Sequence, residues 1–158
     1  MGEKITRKSI VDAMLQVSFL RSCGEASLSD IALILGVKKP SLYNYFPGRS
    51  GIIEAVLDEC RSFYEKISFV PSNVDEIVQK YPVATVFKGI VSHYAKVHEK
   101  TRSLWIFPFV ESMKYFSPEA MKIIGFRKGK IIQETEMALG AFSRNGLAVD
   151  EKRIGILA

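Results

Sequence analysis

The stretch from Ser27 to Ile53, SLSDIALILGVKKPSLYNYFPGRSGII, constrains the fold more than any other part of the chain. Ser27 can cap a helix whose third residue is Asp30, a capping-box arrangement with Asp in place of the usual Glu or Gln. Ile31, Ile34 and Leu35 then fall at i, i+3 and i+4, which predicts a short amphipathic helix. Gly36 stands just past its end, where glycine most easily takes a left-handed conformation and lets the chain turn into Val37. A second short helix is predicted from near Lys39, with Pro40 in the first turn, where its missing N–H costs nothing. Leu42 and Phe46 face inward at helical spacing, which leaves Lys39, Tyr43 and Asn44 pointing outward. Two helices joined by a short Gly-containing turn make a helix-turn-helix, whose second helix can enter a DNA major groove.

Charge supports the same element. The chain of 158 residues carries a net charge of +5 at pH 7. From Lys38 to Arg49 there are three basic residues and no acidic one, whereas the remaining 146 residues hold 19 basic and 17 acidic. With 47% hydrophobic and 25% charged residues the composition is that of a globular protein with enough apolar side chain for a core. Cys23 and Cys60 lie at the ends of helical patterns with no Cys/His cluster beside them, and are read as buried thiols of a cytoplasmic protein. The N-terminus lacks a secretory pattern, and no apolar run reaches the length of a membrane span.

The remaining pattern is helical throughout, with no sustained period-two alternation, so the predicted fold class is all-α. Thr6 caps a first helix with Ile10, Ala13, Met14 and Val17 on one face, ending near Cys23 and Gly24. Lys4, Arg7 and Lys8 open it, either as a solvated helix start or as an arm on DNA phosphates. After Pro47-Gly48, a longer helix from Arg49 to Ile67 presents Ile53, Val56, Leu57, Cys60, Tyr64 and Ile67 in a stripe. Pro71 marks the first clear break. A short helix from Asn73 to about Lys80 follows, then one from Pro82 to about Lys100 with Val83, Val86, Phe87, Ile90, Tyr94 and Val97 in line. Ser103 to Lys114 contains Pro108 and is expected to be bent or broken. Pro118 to about Arg144 is the longest pattern, stopped by Gly146, and Asp150 caps a last helix.

The run D-I-A, then V-K-K-P-S-L-Y-N-Y-F and P-G-R-S-G-I-I resembles the TetR family of bacterial transcriptional regulators. The residues carrying the likeness are Asp30, Ile31, Ala32, Gly36, Val37, Ser41, Leu42, Tyr43, Tyr45, Phe46 and Arg49. The resemblance implies an N-terminal three-helix helix-turn-helix DNA-binding domain over 1–49, a connecting helix over 50–67, and a helical effector-binding and dimerisation domain over 68–158, incomplete at its C-terminus. It further implies a homodimer on a pseudo-palindromic operator, with the tilt of the connecting helix transmitting an effector signal. The family's dimer is commonly built by two C-terminal helices, of which this sequence begins only the first, so a protein ending at Ala158 is expected to dimerise weakly.

On the reading helix, Lys39, Tyr43 and Asn44 are placed to reach base edges, Asn suiting adenine and Lys guanine. Ser27, Lys38, Ser41, Tyr45 and Arg49 are expected on phosphates. In the second half, Phe87, Tyr94, Trp105, Phe109, Met113, Met121 and Phe126 are candidates for lining a cavity; their spacing by itself says only core, and the resemblance implies a small hydrophobic effector. His93 and His98 stand about 140° apart round a helix and do not form a metal pair. Nucleophile motifs, phosphate-binding glycine loops and acidic metal clusters are missing, so no enzyme activity, cofactor or metal is expected. The reading is a ligand-responsive regulator, a repressor in the first instance. The alternatives are a helical small-molecule-binding protein or enzyme without a DNA role, and a protein-interaction module.

Overall fold

The computed structural model describes residues 5–146 of the chain, and every regular element among them is helical. In order these are α1 (Arg7–Leu20), α2 (Leu28–Ile34), a 3₁₀ reading helix (Lys39–Asn44), α3 (Arg49–Lys66), α4 (Val74–Lys80), α5 (Val83–His98), α6 (Thr101–Met113) and α7 (Pro118–Arg144). None of them is long and apolar enough to cross a membrane. The helix expected from Asp150 lies outside the described residues.

Local chemistry accounts for most boundaries. Thr6 caps α1 through a reciprocal pair of bonds with Ser9, its side chain accepting from the Ser9 amide at 3.0 Å. The helix stops at Leu20, three residues short of Cys23. Ser27 and Asp30 close the expected capping box on α2. Gly36 has φ +64° and Gly146 φ +99°, the left-handed backbone that ends α2 and α7. Pro108, by contrast, does not break its helix: α6 runs unbroken through it. The ring and Leu104, whose carbonyl it leaves without a helical donor, both lie on the exposed side, where water can serve that carbonyl.

The chain forms two compact units, each built from two separate segments. Among the described residues, the first takes 5–64 together with Thr101–Ile124, and the second takes Glu65–Lys100 and 125–146. The reason α6 belongs to the first unit is its buried face. Ile106, Phe109 and Val110 are at most 2% exposed and share a core with Ile10, Met14 and Leu15 of α1, Ile52 and Val56 of α3 and Ile123 of α7. Burying side chains of this size stabilises by about 1.5–3 kcal/mol each. Arg102 of α6 adds ion pairs to Glu59 at 2.8 Å and to Asp12, but such partly exposed pairs contribute only about 0–1 kcal/mol, so packing and not charge holds α6 here.

The second unit has a smaller core of Val70, Val74, Val78, Val86, Ala138, Ala141 and Phe142. Its α5 carries the apolar stripe read from the sequence, yet only Val86 and Val97 are buried; Phe87 and Tyr94 are exposed. Glu134 is buried, and it is fully engaged: its carboxylate accepts from the Ser68 hydroxyl and the Phe69 amide, both at 2.8 Å. Asp75 receives Arg144 in a forked pair with bonds of 2.7 and 3.0 Å.

Candidate functional site

The second short helix expected near Lys39 is a 3₁₀ helix, Lys39–Asn44. Ser41 N–H donates to the Lys38 carbonyl at 2.9 Å, three residues back, and the Leu42 carbonyl accepts from both Tyr45 at 3.0 Å and Phe46 at 3.1 Å. Pro40 supplies no N–H, and six residues leave little room for an α ladder between the turn at Gly36 and the turn at Pro47. The inward pair survives the tighter winding: Leu42 and Phe46 are 1% and 2% exposed. Lys38, Lys39, Tyr43 and Asn44 are exposed, and Ser41 and Tyr45 are half-buried. A basic and amide-bearing face therefore stands on an apolar anchor.

Three of the residues expected on phosphates use their donors inside the protein. The Ser27 hydroxyl donates to the Asp30 carboxylate at 2.6 Å while accepting from the Asp30 amide at 3.2 Å, so its one proton is committed to the cap. Those bonds from Ser27, with Arg21 2.9 Å away, hold the Asp30 carboxyl below its ordinary value. The Tyr45 hydroxyl donates to the Ile5 carbonyl at 3.0 Å. Arg49 donates through Nε to the Ala26 carbonyl at 2.8 Å and through Nη2 to the Cys23 carbonyl. Arg49 thus ties the start of α3 to the loop that positions α2. Lys38 and Ser41, the other two of that set, make no side-chain hydrogen bond among the described residues, Lys38 being exposed and Ser41 half-buried.

A clamp not foreseen from the sequence holds the far end of the reading helix. Arg7 donates from Nη1 to the Tyr45 carbonyl, and its guanidinium carbon lies 4.1 Å from the centre of the Phe46 ring. Arg7 is itself exposed, and these two contacts set its guanidinium on the end of that helix. Such a cation–ring contact is worth about 0.5–1 kcal/mol at an exposed site. The partners are nearly forty residues apart in the chain, beyond the reach of any local pattern.

The seven residues proposed to line an effector cavity are not brought together. Phe109 is a core residue of the first unit, and Trp105 and Met113 pack against that core. Phe87, Tyr94, Met121 and Phe126 are exposed. The second unit does hold a cavity of about 570 Å³, lined by the segment Ser68–Ser72 and by residues of α4 and α5 that include Ile77, Val86, Ile90 and His93. None of the seven belongs to it. The apolar face of α6 turned to α1 instead, and the cavity wall comes from a linker whose residues carry no helical period. His93 Nε2 lies 3.1 Å from the Ser68 carbonyl and so carries a proton there; His98 Nδ1 meets the Tyr94 carbonyl at 2.9 Å. Among the described residues no cluster of metal-ligating side chains occurs. Both cysteines are free and buried, and burial pushes the Cys60 thiol up to about 12.

Comparison with known proteins bears on the first unit. Residues 10–56 match the family described as bacterial regulatory proteins, tetR family. That span runs from the first buried residue of α1 through the reading helix to Val56 in α3. A stretch of 72 residues, 46% of the chain, is 25% identical to the HTH-type transcriptional regulator TtgR of Pseudomonas putida, of whose length the match covers 34%. The capping box, the left-handed glycine, the buried Leu42 and Phe46 and this match agree that residues 10–56 form a helix-turn-helix of the kind found in the tetR family of bacterial regulatory proteins.

Proposed function

We propose that the protein is a DNA-binding transcriptional regulator, acting as a repressor that a small hydrophobic effector releases from a pseudo-palindromic operator. The observation that carries the reading is the face of the reading helix: Lys38, Lys39, Tyr43 and Asn44 exposed together, opposite the buried Leu42 and Phe46. Lysines without acidic neighbours attract phosphates, Asn44 has the paired donor and acceptor that recognise adenine, and Lys39 suits guanine. Two copies bound as a homodimer would present two such faces about 34 Å apart, one helical turn of DNA. The effector is assigned to the cavity of the second unit, whose volume of about 570 Å³ lies within the range of small-molecule sites. In that scheme the bound effector favours a setting of α3 that takes the reading helices out of register with successive major grooves.

Titration of the full chain onto a duplex at graded salt tests the DNA reading. Binding should weaken steeply as salt rises, and Lys38→Ala with Lys39→Ala should reduce the slope of log K against log salt by about 1–2. Binding of small apolar molecules with no salt-dependent affinity for DNA would instead favour a ligand-binding or enzymatic role.

A further inference from the structure

The first unit contains a second cavity, of about 370 Å³, between the loop joining α1 to α2, the start of α3 and the end of α6. Ile53, Met113 and Phe116 supply an apolar wall, and Arg49 is the one formally charged residue lining it. Two features of this wall point to a ligand. Arg49 is oriented by the carbonyls of Cys23, Gly24 and Ala26, which are dipoles and leave its full charge uncompensated; among the described residues it has no carboxylate partner, and its Nη1 donates to no group. The neighbouring Cys23 thiol does not supply the anion, because burial raises its pKa despite the pull of Arg49. Phe116, in turn, is a large ring left 82% exposed at the edge of the cavity, with no place in either core.

A guanidinium beside an apolar wall matches a ligand with a compact negative charge on an apolar body, since carboxylates accept charge-assisted bonds from arginine and the body is drawn out of water. We propose that this cavity binds a small organic carboxylate with a ring-sized apolar body, its charge on Arg49 and its body against Ile53, Met113 and Phe116. Because the same guanidinium holds the loop before α2, the ligand competes with the loop carbonyls and reaches the helix-turn-helix directly. The site is separate from the cavity of the second unit and does not depend on the role assigned there.

The test uses the full chain with 3-phenylpropanoate and its neutral amide, 3-phenylpropanamide, followed by calorimetry and by the fluorescence of Trp105, the single tryptophan. The acid should bind about ten-fold or more tightly than the amide, the margin that one charge-assisted interaction supplies. Arg49→Gln should remove that preference and Arg49→Lys should retain part of it. Ser112→Phe, which fills the cavity without altering Arg49, should weaken the acid by a similar factor. Thermal unfolding of each variant separates loss of the site from loss of the fold. Equal affinities for acid and amide on the unaltered chain, absence of binding, or acid binding untouched by a folded Ser112→Phe protein would overturn the proposal.

Discussion

The two compact units are built from similar sequence patterns with different results. In the first, α1, α3 and α6 bury their stripes against one another; of the twelve largest side chains that are fully buried, all but Val74 belong to this unit. In the second, α5 has a more pronounced apolar stripe than α1, α3, α6 or α7 and leaves Phe87, Val91 and Tyr94 exposed. Periodicity specifies that a helix has an apolar face; it does not specify that a neighbour arrives to cover it. The first unit accordingly gives the helix Lys39–Asn44 a large packed base, and the second has a small core beside a cavity.

The comparison breaks most visibly in core truncations. Phe109→Ala should destabilise the protein by about 3–5 kcal/mol, whereas Val74→Ala in the second unit, losing two methyl groups, should cost roughly 1.5–2 kcal/mol. Denaturant unfolding of both variants measures this. Equal costs would show the second core to be as organised as the first.

A smaller effect sharpens the account of the reading unit. Ser27→Ala removes the cap of α2 and should cost about 1 kcal/mol, with faster amide exchange confined to α2 and the turn after it. The smallest effect is a pH dependence. The Asp30 pKa is lowered in the folded protein by Ser27 and Arg21. Its contribution is therefore present above the ordinary carboxylate value of about 3.9 and is lost as pH falls through the depressed folded value. The stability gap between the native chain and Asp30→Asn should hold near neutral pH and close in acid, as thermal melts across that range would record.

How much was legible follows from how far each determinant acts. The cap at Ser27, the turn at Gly36 and the inward pair Leu42 and Phe46 depend on residues within a few positions, and the sequence alone indicates them. Ile52 is fully buried although the pattern named only Ile53, which is partly buried against the same core, a detail that only the packing of α3 decides. Arg7 on Phe46, Arg49 on the loop carbonyls and Glu134 beneath Ser68 join residues distant in sequence, and no local signal encodes them. The cavity of the second unit escaped for a further reason: part of its wall is the linker around Pro71, which reads as a break.

Enrichment of bound sequences from a randomised duplex pool, with the native chain, Asn44→Ala and Lys38→Ala compared side by side, bears most directly on the claim that the exposed face of Lys39–Asn44 reads DNA. The native chain should enrich a pseudo-palindromic sequence. Asn44→Ala should relax one position in each half-site at a cost of about 1–3 kcal/mol, while Lys38→Ala weakens all sequences alike and leaves the preference intact. An unchanged sequence preference in Asn44→Ala, or no enrichment by the native chain, would contradict the account.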